Sequence, residues 1–527
     1  MAAETTGPVS MTVRGAIACG HPITAAAAEE ILREGGNAFD AVIAAFLAAC
    51  VAEPVLASLG GGGYLLAQRA ASPPVAYDFF VHTPRRRQSA APVDFYPIHA
   101  DFGTTTQEFH VGLAAVATPG AVRGAFAIHR DLGTLPMSRL AEPAVRTARD
   151  GFTLDPLQGF IFNVVKPIFL ATPQARAVYA SKMDSARLTQ GGETLVQPAM
   201  GDTIDALARE GDRLFYEGEI ARRIAELCQA GGGFLTVEDL RQYHVERRQA
   251  LNLDYRGARL YTNPPPSSGG ILIAFALELL KSCPLGQLGF GSAEALDLLA
   301  QVMALTNKAR LDAVAGAEQG GDHAPLLDAE YLEQYRRHVV HRPGCLRGTT
   351  HISIIDAAGN VAALTASNGE GCGHLIPGAG IMLNNMLGEE DLNPRGFHRW
   401  PPGERMTSMM APSLLHLPGG KRVALGSGGS NRIRTALLQV ISNLVDHGMA
   451  PEAAVAAPRI HYERGKLNIE PGYSQQELEK LLPGYADHEL WREHNLYFGG
   501  VHTVELAQGR FFGVGDPRRG GVGRVVE

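Results

Sequence analysis

The sequence lacks the features that define several large classes of protein. It has only six cysteines in 527 residues, and no two of them form a Cys-x-x-Cys pair, so neither a disulfide framework nor a zinc site is indicated. Its most apolar early stretch, residues 41–51, is too short to span a bilayer and runs into Glu53-Pro54. No basic start followed by a long apolar run opens the chain. We therefore expect no secretory signal, no membrane partner and a cytoplasmic location.

The chain also lacks an excess of charge of either sign. Its 47 basic and 54 acidic side chains leave a formal net charge of −7, which does not favour nucleic acid or an anionic membrane as a partner. The one tight basic run, Arg85–Arg87, is interpreted as a solvated loop. The glycine run Gly60–Gly63 lacks the Gly-Lys-Ser/Thr ending of a phosphate loop, so we do not expect nucleotide binding. Close backbone contact and anion binding both remain open for this run.

What is present indicates a well-packed protein whose 527 residues form either more than one ordinary domain or one large α/β unit with two lobes. Hydrophobic residues make up 45% of the chain and charged residues 19%, which fits a folded globular protein. Thr24 is a candidate N-cap of the first helix, and a rigid loop at Tyr261–Gly270 precedes an apolar helix. From Thr349 onwards, short strands and turns replace the helical patterns. Helices are predicted within residues 24–33, 38–51, 119–240, 271–280 and 293–340.

Residues 349–367 are predicted to form a β-hairpin that carries a candidate nucleophile. If the hairpin closes symmetrically about Asp356 and Val361, position 350 faces Ser367, which then lies beside Thr349. A threonine hydroxyl is a poor nucleophile without a base, but a threonine at a new chain terminus carries its own base, the α-amine. Since that amine fills the base role, His351 is interpreted as structural. This segment alone favours an ordinary strand, because β-branched residues suit strands.

Two further segments supply groups that amide chemistry needs. Gly426–Ser430 follows a strand-like run, and consecutive backbone N–H groups there could form an oxyanion hole. Thr407 and Ser408 supply two adjacent hydroxyls. Each signal is weak alone, because Gly-Ser runs are common in turns.

Taken together, these segments resemble the γ-glutamyltransferase family (γ-glutamyltranspeptidase, glutathione hydrolase) of N-terminal nucleophile hydrolases. The likeness covers nearly the whole chain, and its separate matches occur in the same order, which makes chance an unlikely source. The matching segments are Ile31–Ala41, Leu59–Gly63, Thr118–Gly120, Ala148–Phe152, Pro264–Gly270, Thr349–His351, Asp356 with Gly359-Asn360, Leu383–Asn385 and Gly515–Arg518.

The resemblance implies an αββα sandwich and a precursor that cuts itself between Gly348 and Thr349. The products would be a large subunit, 1–348, and a small subunit, 349–527, held as a heterodimer, with a dimer of heterodimers left open. The implied reaction is ping-pong acyl transfer from a small-molecule amide, without a metal or an organic cofactor. The resemblance implies that Thr349 is the nucleophile, that the Ser367 hydroxyl pairs with it, and that Asn368 helps to orient it. Gly428 and Gly429 would donate to the oxyanion. Glu389 would bind the substrate's amine, and Thr407 and Ser408 its α-carboxylate.

Three departures from the family pattern concern substrate and location. Phe80 stands where the family has an arginine that clamps the substrate carboxylate, and Arg85–Arg87 are out of register with it. Next to Glu389 the family's amide side chain is missing, and the family's export signal is absent.

We therefore expect an amidohydrolase or acyltransferase of γ-glutamyl-type amides, linked to glutathione metabolism. The alternative is a cytoplasmic amidohydrolase of another small acyl substrate, similar to oxamate amidohydrolases or cephalosporin acylases. A non-catalytic binding homologue is disfavoured, since Thr349, Gly428 and Gly429 are all retained.

Overall fold

The computed structural model describes residues 13–88, 91–101, 106–318, 324–327, 332, 348–393 and 395–527. Cys345 and most of the predicted helical residues after position 318 lie outside this part of the chain. Within it, strands and helices alternate in the N-terminal two-thirds, and strands dominate after Thr349.

The strands of the described residues are β1 Gly15–Cys19, β2 Gly62–Gln68, β3 Val75–Phe79, β4 Tyr96–Asp101, β5 Thr106–Val111, β6 Phe152–Thr153, β7 Thr194–Leu195, β8 Glu246–Gln249, β9 Leu251–Tyr255, β10 Ala258–Thr262, β11 Thr350–Asp356, β12 Val361–Ser367, β13 Ser413–Leu417, β14 Lys421–Gly428, β15 Ile460–Glu463, β16 Lys466–Ile469, β17 Asp487–Leu490, β18 Gly500–Ala507, β19 Arg510–Val514 and β20 Val522–Val526.

The α-helices of the same residues are α1 Pro22–Arg33, α2 Ala38–Ala52, α3 Ala121–Leu132, α4 Met137–Asp150, α5 Pro156–Val164, α6 Lys166–Phe169, α7 Pro173–Tyr179, α8 Pro198–Glu210, α9 Arg213–Tyr216, α10 Glu219–Gly231, α11 Val237–Arg241, α12 Ser268–Lys281, α13 Leu285–Leu288, α14 Ala293–Glu318, α15 Arg432–Val445, α16 Pro451–Ala456 and α17 Gln475–Leu481.

Two large antiparallel sheets form the centre of the molecule. In the described residues the first sheet has seven strands in the order β20-β1-β11-β12-β2-β3-β8, and the second has six in the order β19-β18-β14-β13-β10-β9. Strands from distant parts of the sequence are therefore neighbours, such as β1 beside β11 and β14 beside β18.

The buried residues separate into three apolar layers. One layer lies between the first sheet and helices α1 and α2. A second lies between the second sheet and helices α12 and α15. The third lies between the two sheets and is built largely from small side chains, among them Ala16, Ala363 and Ala424. Helix, sheet, sheet and helix stack in that order, so the predicted αββα sandwich is confirmed.

Most predicted helices are present, with shifted starts. The first helix begins at Pro22 with His21 as its N-cap, whose ring accepts the N–H of Ile23, so the prediction of Thr24 as the cap was wrong. Thr24 instead lies inside the helix, and its hydroxyl donates to the buried carboxylate of Glu53. Helix α12 begins at Ser268, three residues before the predicted start, because the serine-glycine end of the loop is already helical.

The predicted hairpin is present with a register shifted by one residue. Thr350 pairs with Ala366, not with Ser367. The shift arises because Asp356 pairs with Asn360 and the turn is tight, with Gly359 at φ +80°. Continuing this register beyond the strand sets Ser367 directly opposite Thr349, closer than the prediction had placed it.

The glycine run Gly60–Gly63, whose last two residues begin β2, serves close backbone contact. A β-carbon added to Gly61 would lie 2.3 Å from the carbonyl oxygen of Ser367. Only glycine lets this segment approach the end of β12 so closely. Of the two interpretations left open for the run, close approach is therefore the one that the packing supports.

Candidate active site

Strands β11 and β12 bring the candidate nucleophile and its partner to one end of the first sheet. Thr349 immediately precedes β11 and is 4% exposed, and Ser367 ends β12 at 6% exposed. Ser367 also accepts the N–H of Gly369 at 3.0 Å, which fixes its hydroxyl at the strand end.

The carbonyl of Gly348 is held by two hydroxyls. Thr349 Oγ1 donates to Gly348 O at 2.6 Å, and Ser367 Oγ donates to the same oxygen at 2.9 Å. On the other side of this residue, the Gly348 N–H donates to Glu370 Oε1 at 3.1 Å. The Thr349 hydroxyl thus lies beside the carbonyl it would attack, and the Ser367 hydroxyl is placed to polarise that carbonyl.

A buried carboxylate anchors the start of β11. Glu53 accepts hydrogen bonds from Thr24 Oγ1 at 2.7 Å and from Thr350 Oγ1 at 2.8 Å. Burial raises the pKa of Glu53 above its ordinary value, opposed by nearby His21 and by the two threonine hydroxyls. Helix α1 and the residue that follows α2 therefore fix Thr350, the residue next to Thr349.

Of the two predicted oxyanion glycines, Gly428 lies against the backbone of the nucleophile. Gly428 ends β14 opposite Gly500, and a β-carbon added to it would lie 2.1 Å from Thr349 O. Gly429 follows at φ +118°, a conformation that favours glycine. The loop then passes through Ser430, which lines the pocket, into the N-terminus of α15. Backbone N–H groups and the positive end of a helix dipole are thus concentrated near Thr349.

A buried guanidinium lies behind the same loop. Arg519 Nη1 approaches Thr349 O at 3.4 Å, and its Nη2 donates to Leu496 O at 3.3 Å. Burial and the neighbouring Arg432 lower the pKa of Arg519 to about 10, which still leaves it cationic at neutral pH. This fixed positive charge adds to the potential that stabilises negative charge near Thr349.

A small pocket of about 30 Å³ opens at Thr349. Five predicted site residues line it: Gly348, Thr349, Ser367, Glu389 and Ser408. The other lining residues are Phe80, Met386, Asp391, Leu392, Met409, Met410, Ser430 and Ile433.

Four predicted site residues lie outside this lining. Gly428 contacts the backbone of Thr349, and Gly429 follows it in the loop before Ser430. Asn368 is fully buried and its amide points towards Gly371, so its orienting role stays a prediction. Thr407 lines a neighbouring cavity of about 300 Å³ that shares Asp391, Leu392 and Met409 with the pocket.

Ser408 and Thr407 are fixed by the first turn of α12. Ser408 O accepts hydrogen bonds from Ser268 N and Gly269 N, and Ser408 Oγ accepts the N–H of Met410 at 3.1 Å. Thr407 Oγ1 donates to Ser268 Oγ at 3.3 Å. The predicted rigid loop therefore serves to hold these two hydroxyl residues at the edge of the pocket.

Phe80, which the resemblance placed at the position of a substrate-binding arginine, lines the pocket. Its ring stacks on Tyr64, with ring centroids 5.7 Å apart, and it is 1% exposed. Arg85, Arg86 and Arg87 are exposed, in agreement with their interpretation as a solvated loop. Among the described residues that line the pocket, the ionisable side chains are the two carboxylates Glu389 and Asp391 and there is no cation.

His351 has a structural environment. Its Nδ1 and Nε2 contact Thr365 Oγ1 at 2.7 Å and Ser353 Oγ at 2.8 Å, and it packs against Gly426 of β14. Burial holds the pKa of His351 well below its ordinary value, so the ring is neutral. This is the environment expected of a histidine that ties the two sheets together.

Sequence reasoning missed three buried charges: Glu53, Glu370 and Arg519. Arg519 directly follows the matched segment Gly515–Arg518, and Glu370 lies three residues after Ser367. Their proximity to recognised motifs was the available signal, but only the fold brings Glu53 to Thr350.

No group of three or more His, Cys, Asp or Glu side chains that could hold a metal ion occurs in the described residues. None of the described helices is both long and apolar enough to cross a membrane.

Comparison with known proteins gives the same fold and a family. The chain is 32% identical over 511 residues to the acylase ACY 1 proenzyme of Pseudomonas sp. (strain V22), covering 93% of this chain and 89% of the relative. It is 30% identical over 534 residues to the glutathione hydrolase proenzyme of Escherichia coli (strain K12), covering 93% and 88%. The crystal structure of cephalosporin acylase from Bacillus halodurans superposes with a TM-score of 0.83 at 23% identity, covering 100% of this chain and 99% of that one.

A family model for γ-glutamyltranspeptidase matches residues 24–526, nearly the whole chain. The chain therefore belongs to the γ-glutamyltranspeptidase family and is a γ-glutamyltransferase-like amidohydrolase and acyltransferase with an N-terminal nucleophile hydrolase fold.

Proposed function

We propose that the chain cuts itself between Gly348 and Thr349 and that the freed Thr349 then cleaves an amide through an acyl-threonine intermediate. The observation that carries this proposal is the pair of hydroxyls, Thr349 Oγ1 and Ser367 Oγ, on the carbonyl oxygen of Gly348. The proenzyme names of the relatives from Pseudomonas and E. coli are consistent with it.

Self-cleavage begins as an acyl shift within the precursor. Thr349 Oγ1 attacks the Gly348 carbonyl carbon and loses its proton, and the bond from that carbon to the Thr349 nitrogen breaks as the nitrogen takes up that proton. Water then hydrolyses the ester, which releases the Gly348 carboxylate and leaves Thr349 with a free α-amine. The Ser367 hydroxyl stabilises the oxyanion that forms on Gly348 O in the first step.

In turnover the α-amine of Thr349 acts as the base. An unperturbed α-amine has a pKa near 8, so it needs little tuning to accept the hydroxyl proton at neutral pH. Thr349 Oγ1 attacks the substrate carbonyl, the backbone N–H groups of Gly428 and Gly429 stabilise the oxyanion, and the amine product leaves with the proton. Water, or a second amine, then attacks the acyl-threonine and regenerates the enzyme.

The acyl group that enters the pocket differs from γ-glutamyl in our proposal. Phe80 offers no hydrogen bonds, so a substrate α-carboxylate loses the bidentate clamp that a guanidinium provides. The apolar surface of Phe80, Met386 and Ile433 favours a less polar acyl group in that part of the pocket. The relative named as an acylase is consistent with such a change.

A γ-glutamyl-type amide is the second candidate, with a link to glutathione metabolism. Glu389 and Ser408 line the pocket together, where they could bind the amine and carboxylate of an amino acid. The relative named as a glutathione hydrolase is consistent with this candidate. Release of chromophore from a γ-glutamyl anilide, compared with release from the anilide of an uncharged acyl group, separates the two, because efficient turnover of the γ-glutamyl anilide would defeat the altered specificity.

Self-cleavage itself is tested on a denaturing gel. We expect two bands with the masses of residues 1–348 and 349–527, and N-terminal sequencing of the smaller band should begin at Thr349. Thr349→Ala should leave full-length chain. Thr350→Ala is the matched control, since it removes a neighbouring buried hydroxyl that bonds to Glu53 and not to Gly348. A wild-type protein that stays full-length after long incubation would contradict the proposal.

The two subunits are proposed to stay together as a heterodimer. They share both central sheets, since β11 of the small subunit lies between β1 of the large subunit and β12. Co-elution of the two bands in size-exclusion chromatography would test this and would give the oligomeric state. The cytoplasmic location stays a prediction that cell fractionation would check.

A further inference from the structure

In the precursor, Gly348 occupies the place that an acyl group takes in the mature enzyme. Self-cleavage passes through an ester between the Gly348 carbonyl carbon and Thr349 Oγ1, and turnover forms an ester between the substrate's carbonyl carbon and the same oxygen. The carbon next to the reacting carbonyl is Gly348 Cα in the first ester and the substrate's α-carbon in the second. Groups that contact Gly348 are therefore placed to contact the substituents of that α-carbon.

The nitrogen of Gly348 is the substituent that shows what the site recognises. Its N–H donates to Glu370 Oε1 at 3.1 Å. Glu370 is 2% exposed and lies in the turn that follows β12, where its own N–H donates to Asn385 Oδ1 at 2.9 Å. When Gly348 leaves after cleavage, the carboxylate faces the vacated space beside Thr349.

The geometry points to Glu370 as a specificity residue that binds an ammonium or N–H group on the α-carbon of the substrate's acyl part. The preferred substrates are thus amides of α-amino acyl groups, and this inference rests on the proposed function of Thr349. The assignment uses a residue that contacts the Gly348 N–H and is distinct from Glu389, which is among the residues that line the pocket.

The charge of the pocket supports a cationic acyl group. The ionisable side chains among its described lining residues are Glu389 and Asp391, and removal of Gly348 adds Glu370. Phe80 supplies no positive charge. An acyl group with an ammonium is attracted to these carboxylates, whereas one that ends in a carboxylate meets like charge there.

The test compares anilides that differ only at the α-carbon. The probes are the p-nitroanilides of glycine, which has an α-ammonium, of acetic acid, which has no donor, and of β-alanine, whose ammonium lies one carbon further away. For the wild-type enzyme we expect kcat/KM for the glycyl anilide to exceed that for the acetyl anilide by about 10-fold or more, the range of one charge-assisted hydrogen bond. The β-alanyl anilide should fall between them.

Glu370→Gln is the informative variant. The glutamine carbonyl still accepts the Gly348 N–H, so folding and self-cleavage should be retained, but the negative charge is lost. We expect the glycyl-to-acetyl ratio of kcat/KM to fall by about 10-fold. Glu390→Gln is the matched control, because it removes a nearby exposed carboxylate, and its ratio should match that of the wild type.

Two outcomes would overturn the inference. The first is a Glu370→Gln enzyme that is cleaved into subunits and keeps the wild-type ratio. The second needs no variant and so covers a failure of Glu370→Gln to fold: a wild-type enzyme that hydrolyses the acetyl anilide at least as well as the glycyl anilide. In both cases subunits and anilide hydrolysis are observed, which distinguishes them from failure of the proposed function, where neither appears.

Discussion

Replacement of Ser367 by alanine should slow self-cleavage far more than it destabilises the precursor. The hydroxyl has two bonds: it donates to Gly348 O at 2.9 Å and accepts the Gly369 N–H at 3.0 Å. The first bond stabilises the oxyanion, and removing one such donor slows acyl transfer by about 10²–10³-fold. The second is structural, and a backbone N–H left without its partner costs about 1–3 kcal/mol of the free energy of unfolding.

The assay is the disappearance of full-length chain on denaturing gels over time, fitted to a first-order rate. Circular dichroism and urea unfolding of the same samples report whether the Ser367→Ala precursor is folded. Ser367→Thr keeps the hydroxyl and should retain cleavage within about tenfold of wild type, since a rotamer adjustment of the added methyl costs about 1 kcal/mol.

Thr365→Val is the control for loss of a buried hydroxyl from the same strand. Thr365 lies two residues before Ser367 and bonds to His351, away from the scissile bond. It should lower stability without a specific loss of cleavage rate. A folded Ser367→Ala precursor that is cleaved as fast as the wild type would refute the assignment of Ser367 as an oxyanion donor.

Three further predictions follow from the geometry. Gly428→Ala should abolish maturation, because the added β-carbon would lie 2.1 Å from Thr349 O, and full cleavage of this variant on a gel would contradict the contact. Phe80→Arg should raise kcat/KM for a γ-glutamyl anilide by about 10-fold or more relative to Phe80→Leu, since a guanidinium can bind the α-carboxylate; an equal rate for the two variants would count against the clamp argument. Burial lowers the pKa of His502 from 6.5 to about 4. Between these pH values the His502 ring is protonated in the unfolded chain but not in the folded protein, so the free energy of unfolding falls as the pH falls from 6.5 to 4. The total loss is roughly 3 kcal/mol. His502→Asn keeps an acceptor for the Asp516 N–H and should flatten the dependence of urea-unfolding free energy on pH from 6.5 to 4, whereas an unchanged slope would assign the titration elsewhere.

The local pattern was sufficient for the hairpin but not for its register. Alternation along Thr350–Asp356 and the turn residues after it predicted both strands. The register of the two strands depends on whether Asp356 and Asn360 close the turn. Gly359 at φ +80° and the hydrogen bonds from Asn360 to Asp356 determine that they do, and the sequence alone does not specify these bonds. The one-residue shift brought Ser367 nearer to Thr349.

In the pocket, too, the sequence predicted the segments correctly but not which residue of each segment lines the pocket. Adjacent residues in the sequence proved to have different surroundings: Ser408 lines the pocket whereas Thr407 lines the neighbouring cavity, and Asn368 is buried whereas Ser367 reaches the pocket. Side chains next to each other in an extended segment point in opposite directions, so a motif identifies the segment more securely than the residue within it.

The sequence by itself determined the chemistry of this protein: the family, the αββα fold, Thr349 as the candidate nucleophile and Phe80 as the departure that separates reaction from specificity. These follow from local motifs that occur in a fixed order, because the chemical groups of the residues in a motif can be identified from the sequence alone. Only the tertiary structure decided the surroundings of Thr349, because Glu53, Glu370 and Arg519 reach it from separate elements of the fold. Long-range strand pairing and burial bring those charges together, and neither is encoded in the spacing of any single segment.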